Sequence, residues 1–142
     1  CAADWVHFTK GWQTKLLRLN EETVINNFKY PKDTWVIFTE ERNVICVFPK
    51  SMKVQGYLCK GGGGVKGVQT AFYKSGRLRY FFSKQDVLVR GIQCKGGVLN
   101  IIGLYENGNL KECTLAQETE INGVKYRKNK KMFFHKDGRV QN

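Results

Sequence analysis

Apolar and polar positions alternate over short stretches of this chain and never settle into the three-and-four spacing of an amphipathic helix. Runs rich in aromatic and β-branched residues at 4–10, 34–40, 68–74, 100–106 and 130–136 predict strands, as do 15–19, 43–48, 77–82 and 109–115. The nearest approach to a helical pattern, Thr14 to Asn27, is interrupted by Thr23-Val24-Ile25. Turn chemistry separates the runs. Asn107-Gly108 and Asp137-Gly138 predict tight hairpins with primed turns, because glycine and Asn or Asp tolerate positive φ, and Ser75-Gly76 is a weaker version. Asn122-Gly123 predicts a second, smaller turn.

The same phrases recur. Ile25-Asn26-Asn27-Phe28-Lys29-Tyr30 returns as Val54-Gln55-Gly56-Tyr57-Leu58-Cys59, as Val89-Arg90-Gly91-Ile92-Gln93-Cys94 and as Ile121-Asn122-Gly123-Val124-Lys125-Tyr126. A second phrase interleaves with it, at 72–78, 104–110 and 134–140. A repeat of roughly 30 residues therefore organises one domain over 1–142, with units at about 4–33, 34–67, 68–99 and 100–129 and a partial unit at 130–142. One hairpin cannot bury its apolar face alone. The expectation is an all-β fold in which tandem hairpin repeats stack into an extended antiparallel meander or a rolled, barrel-like sheet. Trp5, Phe8, Trp35, Phe38, Phe72, Leu104 and Phe134 are expected on equivalent rungs, with Trp35, Phe72, Leu104 and Phe134 on one buried face. An exposed aromatic stripe is the alternative.

The Tyr-x-Asn-Gly-x-Leu segment from Tyr105 to Leu110 resembles MORN-type repeats and the related antitoxin-component β-repeats of bacterial proteins. The longer unit, from Leu115-Ala116 to Glu120-Ile121-Asn122-Gly123-Val124-Lys125-Tyr126, is similar to repeats in bacterial lipoproteins, including those of spirochaetes. Two copies depart from the pattern: Arg42 stands where the turn glycine is expected, and Gly11 lies one position early. The resemblance implies scaffolding or binding rather than one shared chemistry.

Cys1-Ala2-Ala3-Asp4 resembles the start of a mature bacterial lipoprotein, which predicts acylation of Cys1, a membrane partner and an outer-membrane address, facing the periplasm or the cell surface. The other reading is a boundary that happens to fall at a cysteine. Cys46, Cys59, Cys94 and Cys113 then form an even set for two disulfides in an oxidising compartment. Cys59 and Cys94 hold the same place in consecutive repeats, which suggests either a bridge between them or a packing position; Tyr30 and Tyr126 at the equivalent places favour packing. No run approaches the roughly 20 apolar residues of a spanning helix. No CxxC pair occurs and His7 and His135 are far apart, so neither a metal nor a cofactor is expected.

Twenty-four Lys and Arg against twelve Asp and Glu give a net charge of +12, a field that draws anionic partners. Lys125, Arg127, Lys128, Lys130 and Lys131 form the densest cluster, and Lys60, Lys95 and Arg127 fall at the same place in successive repeats, as rungs of a basic ladder. These seven residues are the expected anionic-ligand site. A functional patch requires the 125–131 segment to be an edge or a loop, since strand alternation would divide it between two faces. Ser51, Ser75 and Ser83 lack a nucleophile-elbow context, and the glycine run from Lys60 to Gly67 lacks the Gly-Lys-Ser/Thr ending of a phosphate loop, reading instead as a flexible hairpin connection. The expected function is a non-enzymatic envelope lipoprotein binding anionic polysaccharide or lipopolysaccharide. A protein-interaction scaffold using a sheet edge and an antitoxin-type nucleic-acid binder are the alternatives, the latter disfavoured by a lipidated N-terminus.

Overall fold

Strand pairing in this chain is governed by two kinds of turn. In the computed structural model, which describes residues 3–4 and 16–141, the strands are β1 (Ala3–Asp4), β2 (Leu16–Leu19), β3 (Thr23–Ile25), β4 (Phe28–Tyr30), β5 (Trp35–Phe38) and β6 (Val44–Val47). They continue as β7 (Met52–Val54), β8 (Tyr57–Cys59), β9 (Thr70–Phe72), β10 (Leu78–Phe82), β11 (Val87–Val89) and β12 (Ile92–Cys94). The last are β13 (Ile101–Leu104), β14 (Leu110–Thr114), β15 (Thr119–Ile121), β16 (Val124–Tyr126) and β17 (Lys131–Phe133). Cys1, Trp5, His7, Phe8 and Gly11 lie outside the described residues.

Nine of these strands make one antiparallel sheet in the order β1-β2-β5-β6-β9-β10-β13-β14-β17, an open meander rather than a closed barrel. The other eight form four separate two-stranded hairpins, β3-β4, β7-β8, β11-β12 and β15-β16, inserted between successive sheet hairpins. Each repeat thus contributes four strands where the sequence suggested two or three.

The small hairpins turn on two residues that both have positive φ: Asn26 and Asn27, Gln55 and Gly56, Arg90 and Gly91, Asn122 and Gly123. This is the primed geometry that matches strand twist. The sheet hairpins are built differently, which corrects the expectation from Asn107-Gly108 and Asp137-Gly138. There only the glycine is left-handed, at φ 91 for Gly108 and 98 for Gly138. Tyr105 N–H donates to Asn109 O and Gly108 N–H to Tyr105 O, closing a three-residue loop whose last member is the glycine. Residues 39–43, 73–77 and 135–139 repeat the same two bonds, and at 39–43 Arg42 takes the glycine's role at φ 65.

The core lies between one sheet face and the layer of small hairpins. Leu17, Val36, Cys46, Phe72, Phe81, Ile102, Cys113 and Met132 from the sheet cluster with Tyr30, Val54, Cys59, Val89 and Cys94 from the hairpins. Phe28, Tyr30, Phe48 and Phe72 form its aromatic centre, with ring centroids of Phe28 and Phe72 4.5 Å apart. Phe72, Leu104 and Phe134, each the residue before a turn, are buried as expected, and Phe38 is half-buried at the same place. Trp35 is not on that face. Pairing of Val36 with Cys46 puts Val36 inside, and alternation sends Trp35, paired with Val47, to the opposite side, where it is half-buried.

The glycine run is exposed at 63–66 but its backbone closes tightly at Gly61 and Gly67. After a 3-10 turn at Gly64–Lys66, Gly67 N–H donates to Gly64 O, and a Cβ on Gly67 would stand 2.0 Å from Gly62 O. Only glycine lets the backbone close on itself there.

A candidate polyanion-binding end of the sheet

Each small hairpin runs toward the sheet turns and back, so its return strand delivers the next residues to the opposite end of the sheet. Lys60 N–H donates to Phe82 O and Lys95 N–H to Thr114 O, both at 2.7 Å. These anchors lie on β10 and β14, which are separated only by β13, so the two lysine backbones sit about 10 Å apart, two strand spacings. The third rung follows from the short loop 127–130. Leu115 N–H donates to Lys130 O and Asn129 N–H to Leu115 O, each at 2.9 Å, with Asn129 left-handed at φ 71. The first repeat builds the same loop at 31–34, where Asp33 has φ 71 and donates to Leu19 O.

One side-chain contact joins these rungs: Lys95 Nζ donates to Asn129 Oδ1 at 2.9 Å. The third repeat's lysine therefore reaches the loop that carries Arg127, Lys128 and Lys130, all exposed. Lys50, Lys66 and Lys84 lie in connections at the same end. Among the described residues the ion pairs are Arg18–Asp33, Lys29–Glu22, Lys131–Glu112 and Arg139–Asp137, and none of them neutralises Lys60, Lys95, Arg127, Lys128 or Lys130. A shallow groove of about 460 Å³ opens at this end, bordered by Lys66 and Val98 and floored by Phe82.

The dense sequence cluster is divided. Lys125 pairs in register with Glu120 on the outer layer of small hairpins, exposed. Lys131 projects from β17 on the open sheet face, 3.3 Å from Glu112 and 5.7 Å from the centre of the Phe133 ring. Lys125 is thus left on the outer layer and Lys131 is turned by strand alternation to the open face, while Lys60 and Lys95, distant in sequence, join the 127–130 loop.

The open face carries a feature the sequence reading missed. Register shifts between Leu78 and Tyr80 and between Leu104 and Gly103 make Arg79 and Lys111 the extra residues of two bulges. Arg79 lies 5.7 Å from the centre of the Tyr73 ring and Lys111 5.7 Å from that of Tyr105. Those tyrosines bind the next repeat: Tyr73 Oη donates to Leu104 O at 2.7 Å and Tyr105 Oη to Phe134 O at 2.8 Å. The signal was present as a spacing. Buried residues lie three apart at Leu78 and Phe81 and at Leu110 and Cys113, but two apart at Val44 and Cys46.

The serines serve turns. Ser51 Oγ accepts from Gly61 N–H, Ser75 Oγ from Arg77 N–H, and Ser83 Oγ donates to Gln85 O. His135 opens the last sheet turn, exposed. Among the described residues no group of three or more His, Cys, Asp or Glu is placed to hold a metal ion, and no helix is long and apolar enough to cross a membrane. Comparison with family models, with curated proteins and with solved structures finds no match to this chain.

Proposed function

We propose that the protein is a non-enzymatic binding module of the bacterial envelope whose loop end holds an anionic polymer, polysaccharide or lipopolysaccharide. The observation that carries this reading is the convergence of Lys60, Lys95 and the Arg127–Lys130 loop on one end of the sheet, without carboxylate partners. Cations held at repeat spacing meet a linear polyanion at successive charges, and their attraction is screened over a Debye length of about 8–10 Å.

Binding to heparin and to lipopolysaccharide over a salt series tests it. Affinity falls steeply from low to physiological salt, and Arg127→Glu with Lys130→Glu weakens binding by about tenfold or more, roughly 1.4 kcal/mol or greater. Lys125→Glu, on the outer layer, changes little. Equal binding by the loop variant, or affinity indifferent to salt, rejects the reading. An acylated Cys1 belongs to the same proposal and is tested separately, by membrane fractionation of Cys1→Ala.

A protein-interaction scaffold is the second reading. It is favoured by the open sheet face, where Trp35, Ile37, Ile45, Tyr80 and Phe82 are only partly covered and Phe133 is 46% exposed on the terminal strand.

A further inference from the structure

We propose that Cys94 and Cys113 are the chain's intramolecular disulfide pair, a covalent clasp between the third small hairpin and the sheet. Antiparallel bonds carry the end of β12 onto the end of β14: Cys94 bridges Leu115, Lys95 N–H donates to Thr114 O, and Ala116 N–H donates to Gln93 O. Cys113, two residues before Leu115, faces the same core, and both thiols are fully buried. In that register Cys113 is the diagonal neighbour of Cys94 across the junction, on the same core-facing side.

The repeat shows why this junction is special. In the preceding unit Cys59 makes the equivalent bridge to Ser83, and the residue two before Ser83 is Phe81. Only the third junction places cysteine at both positions. Cys59 and Cys94, paired by sequence equivalence, bridge the residues just after β10 and β14, about 10 Å apart by strand spacing, beyond the roughly 7 Å between Cα atoms that a disulfide spans. The bridge between them considered from the sequence is therefore excluded, and all four described cysteines are free thiols in this structure.

Formation requires an oxidant, for which a small-molecule disulfide such as oxidised glutathione suffices. The Cys113 thiolate attacks one glutathione sulfur, the glutathione S–S bond breaks, and one glutathione leaves as thiol with a proton taken up from solvent. Cys94, deprotonated in turn, attacks the Cys113 sulfur of the mixed disulfide and releases the second glutathione. Two protein thiols are oxidised and one glutathione disulfide is reduced.

Refolding the full chain from denaturant in mixed reduced and oxidised glutathione exposes every thiol to the oxidant before the core closes. After alkylation of remaining thiols and tryptic digestion, the expected product is the peptide 91–95 disulfide-linked to 112–125, with the combined mass lower by two hydrogens. The oxidised protein also unfolds at a higher denaturant midpoint than the reduced one, and Cys94→Ser abolishes that difference. A link between peptides 54–60 and 91–95, or recovery of Cys94 and Cys113 both alkylated, overturns the assignment whether or not the serine variant folds.

Discussion

Gln55 and Gly76 are bound across the repeat boundary. The Gln55 side chain donates from Nε2 to Gly76 O at 2.9 Å and accepts at Oε1 from Leu78 N–H at 3.0 Å. The tip of one small hairpin is thereby fastened to the turn of the next sheet hairpin. Asn26 makes the matching bond to Arg42 O at 3.0 Å, and Arg90 Nε donates to Gly108 O at 3.3 Å.

Gln55→Ala is expected to destabilise by about 1–3 kcal/mol, since the backbone groups at Gly76 and Leu78 lose their partners in a half-covered site. Gln55→Glu keeps the acceptor and loses the donor, so it should fall between. Urea midpoints measure both, and an Ala variant as stable as the parent would show that water replaces the amide.

Glycines at equivalent turns should not be equally replaceable. Gly76 and Gly138 both have positive φ, but a Cβ on Gly76 would stand 2.3 Å from Asn26 O, while nothing lies within 4 Å of one on Gly138. Gly138→Ala should cost about 1–2 kcal/mol from the backbone alone, and Gly76→Ala distinctly more. Conversely, Arg42→Gly should stabilise by about 1 kcal/mol. Thermal midpoints of the three variants check the order.

Phe72→Ala is expected to cost about 3–5 kcal/mol, because its ring is fully buried against Phe28, Tyr30 and Phe48. Trp35→Ala, on the open face, should cost less than half as much. Reversal of that order in denaturant titrations would put the aromatic core on the wrong side of the sheet.

Tyr30 offers a stabilising change. Its hydroxyl is buried without a hydrogen-bond partner, so Tyr30→Phe should be neutral or add about 1 kcal/mol. Chemical denaturation reads the sign directly.

Alkaline pH should loosen the core. Burial pushes the Cys59 thiol up to about 12 from 9.0, and burial also raises Cys46 and Tyr30. The folded state holds these protons more tightly than the unfolded chain, so the contribution of Cys59 is complete below about pH 9 and is lost as pH rises toward about 12. Denaturation midpoints should fall across that window, and Cys59→Ala should flatten the decline.

Strand runs at 34–40, 43–48, 68–74, 77–82, 100–106 and 109–115 were legible because β-branched and aromatic residues bounded by turn residues determine strands locally. The period was legible too, and with it the all-β meander. Four small hairpins were not fully legible as such. Asn122-Gly123 announces a turn, but Gln55 and Arg90 are not residues that choose positive φ; they are held there by bonds to Gly76 and Gly108 from the following repeat.

The sequence alone determined how much positive charge the chain carries and that cations recur at each repeat. Which of them share a surface was decided by tertiary structure. Neighbours such as Lys130 and Lys131 part because alternation in β17 and the adjoining loop points them differently, whereas Lys95 meets Asn129 because stacked repeats bring equivalent chain exits to one end. Pairing of Cys94 with Cys113 has the same origin. Repeat position aligned Cys94 with Cys59, but the strand spacing keeps equivalent residues apart, and it is the crossing of β12 onto β14 that brings two thiols together.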